Sequence, residues 1–448
     1  MALSGLQIFK LLAKTNCKEC GFPTCMAFAM QLAAGKAELD QCPYVSEEAK
    51  AALGEASAPP VRKVTVGAGD LAVTVGEETV MYRHEKRFEN MPGLGVMITD
   101  EMDDARVATL MGQLREQRFN YVGRTLRPRV AAIKAADGAA LAALAAKVDA
   151  GCGAALVLIS DDAAALKAAA EPLKDKKPLL YAASEANFDA VAAVAKELDV
   201  PFAIKADSLD KLAEMGQKAL DGDFKDVVLD PSSASLGDVL MDQTLIRRAA
   251  VRKTFRALGF PTIGFPCNMT DDPMLEAVYA SVFIAKYAGF VILSDLEPAR
   301  TLPLLYLSQN IYTDPQKPMQ MDQGIYPIND PGPEAPILVT TNFSLTYFTV
   351  SSEVEASKVP AWLAIMDVEG QSVLTAWAAG KFVADAIAPF LKKSGIEEKA
   401  PHRNVVIPGY VAQISGELEE ELGDGWQVQV GVREAADIPK FLRQWSAA

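Results

Sequence analysis

Between residues 95 and 293, short apolar runs rich in β-branched residues alternate with longer amphipathic runs rich in alanine. The short runs, bounded by turn formers, have the pattern of buried strands, and the long ones have a helical period. Strands are predicted at 95–99, 129–133, 155–159, 178–182, 201–204, 226–229, 261–265 and 289–293. Helices fit between them, as at 137–149, 185–197, 207–220 and 236–257. Eight strand–helix units in one series predict a closed TIM (β/α)8 barrel in preference to a doubly wound open sheet. The preceding stretch, 62–90, carries the alternating runs VTVGAG and LAVTVG, which predict extended structure and a hairpin able to close the barrel floor.

Residues 314–336, DPQKPMQMDQGIYPINDPGPEAP, predict a Pro/Gly-rich linker. A second αβ rhythm follows, with strands at 337–341, 361–367, 404–408 and 426–432 and helices near 344–356, 372–393, 412–422 and 434–445. Four parallel strands predict a small, doubly wound C-terminal domain that meets ligands at the carboxyl ends of its strands. Ahead of the barrel, Ser4 and Gln7 form a capping-box pattern, and Leu6, Phe9, Leu12 and Ala13 make one apolar stripe. A second helix is predicted from Thr24 to Gly35, and Ser46 caps a third. So short a helical unit buries little surface, and a metal centre is expected to supply the missing cross-link. The segment EASAPP at 55–60 predicts a stiff spacer. The α/β chain thus divides into a head at 1–57, a barrel with its N-terminal hairpin at 58–313, a linker at 314–336 and a terminal domain at 337–448. The two linkers are placed to let head and tail move relative to the barrel.

Charge narrows the function classes. The formal charge of −14 and pI near 4.8 argue against a nucleic-acid or anionic-membrane partner. Basic stretches at 115–129 and 247–256 read as solvated helix faces or subunit contacts. No apolar run approaches the roughly 18 residues of a membrane span. Gln7 and Lys10 interrupt the first apolar stretch, and no basic segment precedes it, so no secretory signal is expected. Isolated Cys152 and Cys267, with four clustered cysteines, fit a reducing cytoplasm.

The clustered four carry the clearest chemistry. They run Cys17-Lys-Glu-Cys20-Gly-Phe-Pro-Thr-Cys25, then sixteen residues, then Cys42-Pro43. Three readings are open: a [4Fe–4S] cluster held by Cys17, Cys20, Cys25 and Cys42, a structural zinc on the same thiolates, or unbound thiols. Spacing does not separate the two metals. Gly21, Phe22, Pro23 and the apolar stretch 27–30 let the loop wrap and shield a cube, and Cys25 at a helix start offsets its negative charge. These features favour iron–sulfur.

Asp100, Asp161, Asp230, Asn268 and Asp295 stand at barrel strand ends. Barrel chemistry sits there, but the same residue types cap helices, and capping is the expectation. No catalytic residue is assigned. Cys267 reads as a buried structural thiol. In the terminal domain, Thr340, Thr341, Asn342 and Thr346 follow the first strand, and Gly370, Gln371, Ser372, Val373 and Thr375 follow the second. Gly409 follows the third, and Gly431 and Arg433 the fourth. Glycines and hydroxyls grouped at one sheet edge point to a cofactor pocket, with plain turn chemistry as the alternative.

The cysteine head NCKECGFPTCMAFAMQLAAGKAELDQCP, the barrel and the αβ tail, in that order, resemble the large (gamma) subunits of corrinoid iron–sulfur proteins of the acetyl-CoA synthase/decarbonylase (Wood–Ljungdahl) system. The resemblance spans the whole chain and implies a [4Fe–4S] head, a TIM barrel and a cobamide-binding tail. It implies a smaller barrel subunit as heterodimer partner, and exchange with a methyltetrahydrofolate methyltransferase and with acetyl-CoA synthase. The implied function is a methyl carrier, a component of a methyltransferase system: Co(I) takes the methyl group, methyl-Co(III) delivers it, and the cluster re-reduces Co(II). Cys17, Cys20, Cys25 and Cys42 would hold the cluster, and Thr340, Thr346, Gly370, Gln371, Ser372, Val373, Thr375 and Arg433 would contact the cobamide. Neither His84 nor His402 stands in the Asp-x-His-x-x-Gly motif by which many cobamide proteins supply a lower ligand. The rival is an iron–sulfur TIM-barrel methyltransferase that binds a pterin methyl donor in its own barrel, near Asp230 and Asn268.

Overall fold

A computed structural model describes residues 5–33, 37, 39–46, 58–122, 124–314 and 319–446. The chain divides into two compact units, one of residues 1–117 and 128–312, the other of 118–127 and 313–448. The chain therefore passes between them three times.

In the first unit, helices Gly5–Leu11 and Cys25–Ala33 form the head. Their apolar faces meet through Ile8, Leu12, Phe28 and Ala29. Thr24 caps the second helix, its hydroxyl accepting from the Ala27 N–H at 3.1 Å. The predicted capping residue Ser4, the stop at Gly35 and the helix after Ser46 lie outside the described residues, as does the first half of the 55–60 spacer.

The hairpin is made of β1 (Val64–Val66) and β2 (Val73–Val75), paired antiparallel. It is shorter than the expected extended segment, since most of 76–92 is turns and irregular backbone. Its four valines are buried with Val130, Ala155, Leu179 and Phe290 at the barrel floor. The barrel strands are β3 (Gly93–Thr99), β6 (Val130–Lys134), β7 (Ala155–Ile159), β8 (Leu179–Ala183), β9 (Phe202–Lys205), β10 (Val227–Asp230), β11 (Thr262–Gly264) and β12 (Ala288–Leu293). All eight predicted strands are present, and they close into a parallel barrel. Gly95 permits the closure, because a Cβ there would meet the Val130 carbonyl oxygen at 2.5 Å.

The capping expectation is corrected. Helix starts are capped by Asp103, Asp137, Asp162, Ser208, Ser235 and Asp272. These lie past the strand ends, because the chain turns before each helix begins. Asp100 instead accepts from the Ala136 N–H at 2.8 Å, and Asp295 pairs with Arg106 and Arg300. A buried ion pair that the sequence did not reveal, Arg247–Glu78 at 3.0 Å, ties a barrel helix to the loop after β2.

The second unit corrects two expectations. Between β3 and β6 the chain leaves the barrel series to form a hairpin of β4 (Phe119–Tyr121) and β5 (Arg124–Leu126). Its Val122 is buried with Leu338, Leu363 and Val406 of the C-terminal sheet, so the basic stretch at 115–129 is not one solvated helix face. The expected linker contains β13 (Gly324–Ile328), which pairs antiparallel with β15 (Ala361–Met366). Apolar Ile325, Tyr326 and Ile328 drive it onto the sheet, so 314–336 is not a free connector. With β14 (Ile337–Thr341), β16 (Asn404–Ile407) and β17 (Gln427–Val430), the sheet order is β13-β15-β14-β16-β17. The four predicted parallel strands are all there, with one antiparallel strand at the edge. Strand order reverses between β14 and β16, which makes their carboxyl ends the topological switch point. No described helix is long and apolar enough to cross a membrane.

Candidate cofactor sites

The head gathers its cysteines from a curled loop. Lys14, Asn16 and Lys18 have φ of 58°, 51° and 68°, so every second residue is left-handed, and Gly21 follows at 82°. Repeated left-handed residues are the backbone pattern of anion-binding nests, a frequent setting for iron–sulfur centres. Asn16 and Cys25 lock the loop to the helix start: the Cys25 N–H donates to Asn16 Oδ1 at 2.8 Å, and the Asn16 N–H to Cys25 Sγ at 3.3 Å. Cys25 and Cys42 are buried in one apolar cluster, against which Cys20 and Phe22 pack. Cys17 is half-buried. Tyr44 donates to Glu19 at 2.9 Å, which raises the phenol pKa, and the charges of Cys17 and Cys42 add to that rise. All four thiols are free of disulfides. No three ligand-type side chains among the described residues gather tightly enough for a single metal ion. The soft donors, apolar shield and nest-like loop fit an iron–sulfur centre.

In the C-terminal unit a cavity of about 370 Å³ opens at the switch point. Of the predicted contacts, Thr340, Thr346, Ser372, Val373 and Arg433 line it, whereas Gly370, Gln371 and Thr375 do not. Those three belong to the adjoining loop. Gly370 takes φ +71°, a conformation that suits glycine, and Thr375 shares a 3.0 Å hydrogen bond with Ser372. The loop is organised by Asn342, which the sequence reading noted but did not assign. Its Oδ1 accepts from the Val368 and Gly370 N–H groups, both at 3.0 Å, while Nδ2 donates to Asp367 and Gln320. Gly409 and Gly431 let two strand ends approach, since a Cβ on Gly409 would lie 2.7 Å from the Gly431 carbonyl oxygen.

Most of the cavity lining is apolar, including Val339, Leu363, Ile407 and Ile438. Within it the buried Thr340 hydroxyl has no hydrogen-bond partner, and the same holds for neighbouring Thr341 and for Gln371 Oε1. An unmatched buried hydroxyl costs about 1–3 kcal/mol, a cost that a polar ligand group would remove. Leu345, Phe348, Leu374, Trp377 and Tyr410 are exposed in this unit, at 37–64%. The cavity is at the small end of the roughly 300–1,000 Å³ range for buried ligands, so a larger molecule would insert only a part there. Both nitrogens of His402 are engaged, one with the Ala335 carbonyl at 3.0 Å and the other accepting from the Asn404 N–H at 2.9 Å.

A cysteine-loop head, a parallel barrel and an open αβ sheet with a cavity at its switch point define a multidomain protein of the α/β class. The family model for the CO dehydrogenase/acetyl-CoA synthase delta subunit matches residues 63–442, and the chain belongs to that family. A second model, described as "Putative Fe-S cluster", matches residues 12–44. The chain is 42% identical to the corrinoid/iron-sulfur protein large subunit of Moorella thermoacetica, covering 99% of both chains. It is 36% identical to the acetyl-CoA decarbonylase/synthase complex subunit gamma of Methanosarcina acetivorans, covering 98% of both. The gamma subunit of Methanopyrus kandleri is 34% identical, with 99% of this chain and 98% of that one covered.

Proposed function

We propose that this chain is the large subunit of a cytoplasmic corrinoid iron–sulfur protein of the acetyl-CoA pathway and carries methyl groups between enzymes. The observation that carries this reading is the unpaired Thr340 hydroxyl inside an apolar cavity at the switch point, on a chain that also bears the four-cysteine head. When bound, the corrinoid supplies a nucleophilic cobalt and the cluster a low-potential electron for its repair.

The chain's own residues do the holding and shielding. Cys17, Cys20, Cys25 and Cys42 hold the cluster, and Phe22 and Phe28, 5.6 Å apart between ring centroids, exclude water from it. Thr340, Thr346, Ser372 and Arg433 bind polar groups of the corrinoid's appendage, and Val373 packs on it. Gly370, Gln371 and Thr375 act through the loop that Asn342 fixes. The engaged ring of His402 is not offered as a lower ligand.

The partners are a small subunit, implied by the word "large" in the name of the Moorella relative, together with a methyltetrahydrofolate methyltransferase and an acetyl-CoA synthase. The test is anaerobic corrinoid titration of the chain co-purified with the small subunit. Stoichiometric uptake, weakened by Thr340→Val, is expected. Uptake indifferent to that substitution contradicts the assigned pocket.

A further inference from the structure

The carboxyl end of the barrel holds a second cavity, of about 280 Å³, whose lining includes Tyr181, Lys205, Asp230, Ser232, Phe265 and Asn268. It lies in the first compact unit, and nothing said above of the cluster or the corrinoid uses it. Asp230 ends β10 and is only 7% exposed. It caps no helix, since the next one starts at Leu236 under Ser235. The Tyr181 hydroxyl donates to Asp230 Oδ2, and the Ser232 N–H donates to Oδ1 at 2.7 Å. A carboxylate offers about four acceptor positions, so capacity remains on both oxygens.

Three further features point to a missing ligand. Lys205 is the register partner of Asp230 across β9 and β10, yet it makes no hydrogen bond or ion pair among the described residues. Its ammonium lies 5.8 Å from the Tyr181 ring centroid. Ser232 has a buried Oγ without a partner, on a residue held at φ +51°. Left-handed, non-glycine residues are costly and gather at ligand sites. Aromatic rings wall the space: Phe265 meets Tyr181 edge-on at 4.8 Å between centroids.

The lining selects among ligand classes. An inorganic anion would meet Lys205 but also the buried Asp230 carboxylate. A metal ion would find one carboxylate and a repelling ammonium. A neutral ring with an N–H beside a carbonyl satisfies both charges and the serine, and its flat faces suit the aromatic walls. We propose that this barrel-mouth cavity binds a small lactam heterocycle, with its ring N–H donated to Asp230 and its carbonyl accepting from Lys205 and Ser232.

The test is calorimetric titration of the full chain with xanthine and with pterin, and with inorganic phosphate as the anion control. At least one heterocycle is expected to bind one-to-one, and phosphate to give no heat. Asp230→Asn is expected to weaken binding by about tenfold or more, as loss of a charged hydrogen bond does, and Lys205→Ala by about threefold to tenfold. Lys205 is exposed, so its variant tests the proposal even if the Asp230 variant fails to fold. Absence of binding by both heterocycles, binding unchanged in Lys205→Ala, or phosphate binding as tightly as the heterocycles would overturn it.

Discussion

Two sets of parallel strands in this chain end at a cavity, and the two cavities are lined in opposite ways. At the barrel mouth Tyr181 and the Ser232 N–H both donate to the buried Asp230 carboxylate, the Ser232 hydroxyl is left without a partner, and a charged lysine stands beside them. Burial raises the pKa of both Asp230 and Tyr181. At the switch point of the C-terminal sheet the lining is apolar and the Thr340 hydroxyl is left without a partner. Architecture sets where each site lies, at the carboxyl ends of strands. Side chains set what each can take: the polar mouth suits a small, hydrogen-bonding ring, the apolar crevice part of a larger molecule.

The comparison can be broken at several points. The largest effect is expected in the head. Cys42→Ala removes a buried thiol proposed to hold the cluster, and iron content after anaerobic reconstitution should fall to background. Retention of the full iron content would remove Cys42 from the site. Next, the barrel's buried charge is paired, so its loss should be felt without any ligand. Glu78→Ala strands Arg247, whose side chain is 4% exposed, and should cost about 3–5 kcal/mol in denaturant unfolding. The C-terminal hydroxyl should behave the other way. Thr340→Val should leave ligand-free stability unchanged or slightly raised, while corrinoid affinity falls about tenfold, the value of one or two lost hydrogen bonds. A loss of apo stability as large as that from Glu78→Ala would instead make Thr340 a structural residue. The smallest effect concerns Cys267. Burial pushes its thiol up to about 12, so at pH 8 it stays protonated. Iodoacetamide should then leave it unmodified in the folded chain and label it after unfolding.

Much of this was legible in the sequence, for particular reasons. The barrel and the four parallel C-terminal strands announce themselves because a buried strand must be a short apolar run between polar turns. The cysteine loop is legible because metal-ligand types cluster in sequence. Five of the eight C-terminal candidates line the cavity because strand-end positions follow from the strand pattern. What stayed hidden depends on pairing across distance. The Glu78–Arg247 pair joins residues 169 positions apart. The β4–β5 hairpin is too short, at three residues a strand, to show a period. Its place in the second unit depends on Val122 finding Leu338 and Val406. The strand at Gly324–Ile328 was hidden by its one glycine and one proline, Gly324 and Pro327, which an antiparallel edge tolerates. Asp230 was read as a cap because sequence shows its position but not that Tyr181 and Ser232 converge on it.

The central claim is that one chain joins an iron–sulfur head to a corrinoid-holding tail. Metal analysis of the chain, purified without oxygen together with its small subunit, tests it most directly. About four irons and one cobalt per chain are expected, as for one cubane and one cobamide. Zinc in place of iron, with no cobalt, would contradict it.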